Sequence, residues 1–320
     1  MKGLGQHSRK HCQNTRLLQT RKRKKNCWIN SGKGSLRRTS IVKTNIMKLQ
    51  LNELEIKAAP ATIAIIDSGA DFLHPYLTSK IWINKKEIPN NNVDDDKNGF
   101  IDDVRGWNFI GGNNNIKDDN GHGTHVAGIA GKAGHSQLMI LKVLDGYNSG
   151  SHINAARAVR YAVNNGAKII SMSFGGESNY ILNNMIKWAI SKNVIVVAAA
   201  GNDAYDLKKA KVAPAYLNNV ISVSSLESNG LKLANYSNYN GTIAAIGSGV
   251  LSSMPNGKYG RYSGTSMATP LVASAINMIV DKFPNWNTSD VLCLLKKTSD
   301  SFNKTELGKL NFNKLEAELK

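Results

Sequence analysis

Three short, glycine-flanked segments of this 320-residue chain carry a carboxylate, an imidazole and a hydroxyl. The first is Asp67-Ser68-Gly69. The second is Asn120-Gly121-His122-Gly123-Thr124-His125-Val126-Ala127-Gly128, and the third is Gly264-Thr265-Ser266-Met267-Ala268-Thr269-Pro270. Nucleophilic catalysis by a hydroxyl needs a base to take its proton and an acid to orient that base. Asp67, His122 and Ser266 supply one of each. Taken singly, Asp67 reads as a turn or cap residue and Ser266 as an N-cap; their joint occurrence points to chemistry. His122 and His125, three apart on one helix, could instead be a metal pair, but no third ligand has suitable spacing. The glycines around His122 do not fit a dinucleotide loop, because four residues rather than two separate the second from the third and no strand directly precedes them.

A fourth segment could bind a cation. It reads Asp94-Asp95-Asp96-Lys97-Asn98-Gly99-Phe100-Ile101-Asp102-Asp103. Asp94, Asp96 and Asn98 alternate, so a tight turn at Gly99 would bring their oxygens together as in the first half of a Ca²⁺ loop. Phe100 would add a backbone carbonyl, Asp102 would contribute directly or through water, and Asp103 could complete the shell. Arg105 stands where an EF-hand carries its bidentate Glu, so the expected affinity is modest. The other reading is a solvated, Asn/Asp-rich surface loop.

The elements that must position these groups follow from hydrophobic patterning. Apolar, β-branched runs at 62–66, 138–144, 168–172 and 194–199 read as buried strands, the first ending at Asp67. Helical patterns at 152–163, 180–192 and from Ser266 to about Val280 lie between and after them. This alternation predicts an α/β fold: a doubly wound, mostly parallel central sheet with helices on both faces. Ligands gather at the carboxyl ends of such strands, where Asp67, Ser173 and Asn202 fall.

The three segments, in the order Asp, His, Ser, resemble the signature motifs of the subtilisin-like peptidases (subtilases). Ala198-Ala199-Ala200-Gly201-Asn202 resembles that family's oxyanion-hole segment, and Ser171-Met172-Ser173-Phe174-Gly175-Gly176 its substrate-pairing strand. The resemblance implies a serine endopeptidase acting through an acyl-enzyme. Ser266 would attack, His122 would shuttle the proton and Asp67 would orient His122. Asn202 and the Ser266 N–H would bind the oxyanion. Ser173, Phe174 and Gly175 on one side and Ser149, Gly150 and Ser151 on the other would flank an extended protein or peptide substrate. The alternative is a peptide-binding pseudoprotease of the same fold. Asp203 would bias the pocket toward basic side chains or simply stand solvated. Three departures matter. Tyr76 stands where many subtilases have a calcium-ligating Asp, and the stretch from Gly128 to Leu141 lacks the loop that completes that calcium site. The family's inhibitory propeptide is not recognisable in 1–57.

Composition bounds the rest. Of the formal +18 charge, residues 1–57 carry +13, from 15 Lys/Arg against two acids. The expected organisation is therefore a basic, disordered N-terminal extension (1–57) and a peptidase domain (58–320). The extension could contact an anionic surface, nucleic acid or membrane. No apolar run reaches the ~20 residues of a transmembrane helix, and the first thirty residues lack the apolar stretch of a secretory leader. Cys12, Cys27 and Cys293 show neither metal-ligand nor disulfide-framework spacing and read as free thiols.

Overall fold

A computed structural model describes residues 60–320. The expected disorder and anionic contacts of the basic extension lie outside those residues. Strand β1 (Thr62–Asp67) is an inner strand of a seven-stranded sheet. The other strands are β2 (Gly106–Asn108), β3 (Gln137–Lys142), β4 (Ile169–Met172), β5 (Ile195–Ala199), β6 (Ile221–Leu226) and β7 (Ile243–Ile246). They pair in the order β2-β3-β1-β4-β5-β6-β7, and every pairing is parallel.

The sheet is sandwiched because its strands are apolar on both faces. Side chains alternate across a strand, so Ile63 and Ile65 face one way while Ala64 and Ile66 face the other. The first face packs on helices α1 (His122–Ala130) and α5 (Thr265–Lys282), joined by α6 (Thr288–Thr298) and α7 (Phe312–Leu319). The second packs on α2 (His152–Asn164) and α3 (Tyr180–Ser191), together with Trp82, Trp107 and Phe109. A one-turn helix, α4 (Leu207–Ala210), follows β5, and an antiparallel hairpin, β8 (Val250–Met254) with β9 (Lys258–Tyr262), precedes α5. This is the doubly wound α/β architecture that the patterning predicts. Helix starts carry side-chain caps where the fold needs no other partner: Ser151 Oγ accepts from Asn154 N, and Asn287 with Asp290 forms a capping box on α6.

Cys293, half-buried on α6, is disulfide-bonded, which corrects the free-thiol reading. Spacing along a chain does not report which sulfurs meet through space. Among the described residues, no helix is long and apolar enough to cross a membrane.

Candidate active site

Two glycines let the first turn of α1 rest on the end of β1. Gly69 has φ +107°, which L side chains rarely adopt, and a Cβ on Gly123 would lie 2.1 Å from the Gly69 carbonyl oxygen. The contact sets His122 directly over Asp67, whose carboxylate is 1% exposed. His122 Nδ1 donates to Asp67 Oδ1 at 2.7 Å, and the Ser68 N–H donates to the same oxygen at 2.8 Å. That bond leaves Nε2 free to accept a proton. Burial alone would lower the His122 pKa. The charge and hydrogen bond of Asp67, with Asp118 beyond, outweigh burial and hold it above its ordinary value.

Asp118 escapes a motif search, yet it ties the same corner together. Its Oδ1 accepts from Ser68 Oγ, Asn120 N and Gly121 N at 2.8–3.0 Å, and its Oδ2 from Thr124 N and Oγ1 at 2.8 and 2.6 Å. Gly121, the N-cap of α1, has no side chain to satisfy the helix's first N–H groups; Asn120 Oδ1 takes that of His122, Asp118 takes that of Thr124, and Asp118 places a negative charge at the positive end of the helix. Ser68 Oγ in turn accepts from Gly123 N at 2.9 Å. Lys142, 4% exposed, donates to Ser68 O, Leu144 O and Asp119 Oδ1, so this buried cation is fully paired. His125 is fully buried. Its Nε2 donates to Val250 O and Gly260 O, fastening α1 to both strands of the β8–β9 hairpin.

Ser266 sits in the first turn of α5 and lines an open cleft of about 650 Å³ with Ser173, Phe174, Gly175, Asn202 and Asp203. Its hydroxyl donates to the Ser173 carbonyl at 2.9 Å and makes no hydrogen bond to His122. Asn202 Oδ1 accepts from Thr265 N and Oγ1 at 2.9 and 3.0 Å, which fixes the amide and turns Nδ2 outward. Asn202 Nδ2 and the Ser266 N–H each lie 3.6 Å from the point where a Gly264 Cβ would stand, so two donors border one space. The cleft also bears Glu177 and Lys211 beside Asp203, so no single charge dominates it. A second cleft of about 440 Å³ is walled by Ser149, Gly150 and Ser151 opposite Phe174 and Gly175, with Leu144, Ala155 and Leu182 below.

The acidic loop is partly as expected. Carboxylate oxygens of Asp94 and Asp96 converge within 4.8 Å, but the third member of the group is Glu87, not foreseen from the motif. Glu87 is 6% exposed, and its burial pushes its pKa up. Its oxygens accept from Asp96 N and Asp102 N. Asp102 and Asp103 do not join the group. Asp102 adopts φ +55°, a conformation Asp tolerates, and its carboxylate accepts from Asn91 N and Asn92 N. Asp103 points into the core, where it accepts from Tyr161 OH at 2.5 Å, Asn84 Nδ2 and Asn98 Nδ2. Asn98 spends its own oxygen on Phe100 N, and the Phe100 ring packs edge-on against Trp107, Phe109 and Tyr161.

A doubly wound parallel sheet thus carries an acid–imidazole pair and a serine at one end of its strands, an arrangement found in serine hydrolases. A sequence model of the Subtilase family matches residues 59–315, and this chain belongs to that family; it is a serine-type endopeptidase. It is 33% identical over 259 residues to thermitase of Thermoactinomyces vulgaris, covering 77% of this chain and 83% of that one. It is 38% identical over 240 residues to the major intracellular serine protease of Bacillus subtilis, covering 70% and 69%. Against subtilisin-like protease 1 of Plasmodium vivax it is 34% identical over 268 residues, and there the match spans only 42% of the relative's length. The crystal structure of a cold adapted subtilisin-like serine proteinase superposes with a TM-score of 0.63 at 25% identity, covering 78% of this chain and 86% of that one.

Proposed function

We propose that Asp67, His122 and Ser266 form the catalytic triad of this endopeptidase, and that Asn202 Nδ2 and the Ser266 N–H form its oxyanion hole. The observation that carries this reading is the 2.7 Å bond from His122 Nδ1 to the buried Asp67 carboxylate. It selects the tautomer whose Nε2 can take a proton. Rotation about the Ser266 Cα–Cβ bond brings its Oγ from the Ser173 carbonyl toward that nitrogen. Oγ then attacks the scissile carbonyl while its proton passes to Nε2. The carbonyl oxygen gains charge between Asn202 and the helix N-terminus, where fixed donors stabilise it without reorganisation. Collapse of the tetrahedral species returns the proton to the leaving amine and leaves an acyl-Ser266, which water hydrolyses by the same route in reverse. An extended peptide lies between 149–151 and 173–175, with one side chain in the larger cleft. The pseudoprotease alternative has no observation in its favour, since all four groups are present. Hydrolysis of casein by the parent, with no measurable turnover by Ser266→Ala or His122→Ala, is the expected result; near-parental turnover by Ser266→Ala would overturn the assignment. A fluorophosphonate should label the parent and spare Ser266→Ala.

We further propose that Glu87, Asp94 and Asp96 hold a Ca²⁺ ion. The donor set fits a hard cation, since it consists of oxygens alone and each carboxylate that also accepts N–H bonds keeps lone pairs free. Bound there, the ion neutralises three crowded carboxylates and stabilises the fold by mass action. Thermal unfolding in millimolar calcium against chelator is expected to show a higher Tm with calcium, lost in Asp94→Ala/Asp96→Ala. Equal Tm values in both buffers would remove the site.

A further inference from the structure

The α5 helix carries a proline at its sixth position, Pro270. Proline has no N–H, so the carbonyl four residues earlier loses its helical partner. That carbonyl belongs to Ser266. It is not left unpaired: Ser173 Oγ donates to Ser266 O at 2.9 Å. The return bond, from Ser266 Oγ to Ser173 O, is also 2.9 Å. Ser173 follows directly on β4 and is 3% exposed, so its hydroxyl has little else to do.

We infer that the Ser173 side chain is a positioning residue for Ser266, replacing through space the N–H that Pro270 withholds. The inference rests on the reading of Ser266 as nucleophile. It is separate from the part assigned to the Ser173 backbone, which borders the peptide whatever side chain it bears. A part-buried acceptor left without its donor loses much of the compensation for its desolvation, and here that acceptor is on the nucleophile itself. Without the Ser173 hydroxyl, the first turn of α5 shifts to find another donor. The Ser266 hydroxyl and N–H move with it, and small misplacements of reacting groups are costly in rate.

The test is a double-mutant cycle of Ser173→Ala and Pro270→Ala, read as kcat and KM separately on one peptide substrate, with Ser266→Ala alongside. Ser173→Ala is expected to lower kcat roughly tenfold with KM little changed, the scale of one lost hydrogen bond to a part-buried acceptor. Pro270→Ala restores an N–H to Ser266 O, so in that background the penalty of Ser173→Ala should shrink several-fold, as for any coupled pair. Equal penalties in both backgrounds, or a change confined to KM, would overturn the inference. Turnover by Ser266→Ala would overturn the underlying assignment instead. If Ser173→Ala does not fold, the double variant should, because residue 270 then supplies the missing donor. A double variant that is also unfolded, or folded and no faster than Ser173→Ala, counts against the proposal.

Discussion

Asp118 offers the sharpest test of how the base is held. Replacing it with Ala deletes the acceptor for five donors, drawn from Ser68, Asn120, Gly121 and both the N–H and hydroxyl of Thr124. Loss of an N-cap acceptor costs about 1 kcal/mol, and loss of a half-buried anion at a helix N-terminus adds about 1–2 kcal/mol. The sum, roughly 2–3 kcal/mol, corresponds to a fall in Tm of about 4–12 °C for a domain of this size. Asp118→Asn removes the charge but keeps one accepting oxygen, at the cost of setting an NH2 group against the donors of the other. Asp118 is one of the groups holding the His122 pKa up. Removing its charge lowers that pKa, and because the base must be neutral, the acid limb of kcat/KM moves to lower pH. The assays are calorimetric unfolding for both variants and kcat/KM against pH for the Asn variant. An Asn variant whose acid limb does not move, or an Ala variant with parental Tm, would refute the reasoning.

Asn202→Ala is expected to lower kcat by ~10²–10³ while KM changes little, because the lost donor acts on the oxyanion rather than the ground state; steady-state kinetics with parental kcat would remove Asn202 from the hole. His125 gives a pH effect on stability. Burial, outweighing its two backbone bonds, holds its folded pKa below the ordinary value of about 6.5. Its neutral form therefore contributes fully above about pH 6.5, and that contribution fades as pH falls from there toward the folded pKa. His122, with its raised pKa, works in the opposite sense. The gap in urea stability between the parent and His125→Gln isolates the effect; it should narrow from pH 7.5 to 5, and a constant gap would refute it.

Much of this was legible in sequence where one physical signal ruled. Strands β1, β3, β4 and β5 are continuous apolar runs, and α2, α3 and α5 carry helical patterns, so their bounds agree with expectation within two residues. Strand β6, Ile221–Leu226, was not, because it buries three serines. Ser222 is satisfied by Thr242, and the Ser225 N–H by Ser237, partners that only the fold supplies. The same limit hid Asp118 and Glu87. Neither belongs to a recognisable motif, and each acquires its role only when the turns of its loop bring it to Ser68 and Thr124, or to Asp94 and Asp96. Alternation foresaw that the carboxylates of Asp94 and Asp96 come together, but not the left-handed residue that sends Asp102 and Asp103 in different directions.

The strand order has a consequence for how the site comes together. Asp67 lies on β1, between β3 and β4, whereas Ser266 arrives only on α5, after the whole sheet has been laid down in sequence. Parallel sheets of this kind are slow to assemble, since each pairing must first close a long crossover. On the proposed assignment, the carboxylate and the nucleophile come from distant parts of the chain and meet only where α5 packs against the sheet. Cutting power therefore belongs to the assembled sheet and helix together, and no single segment carries it alone.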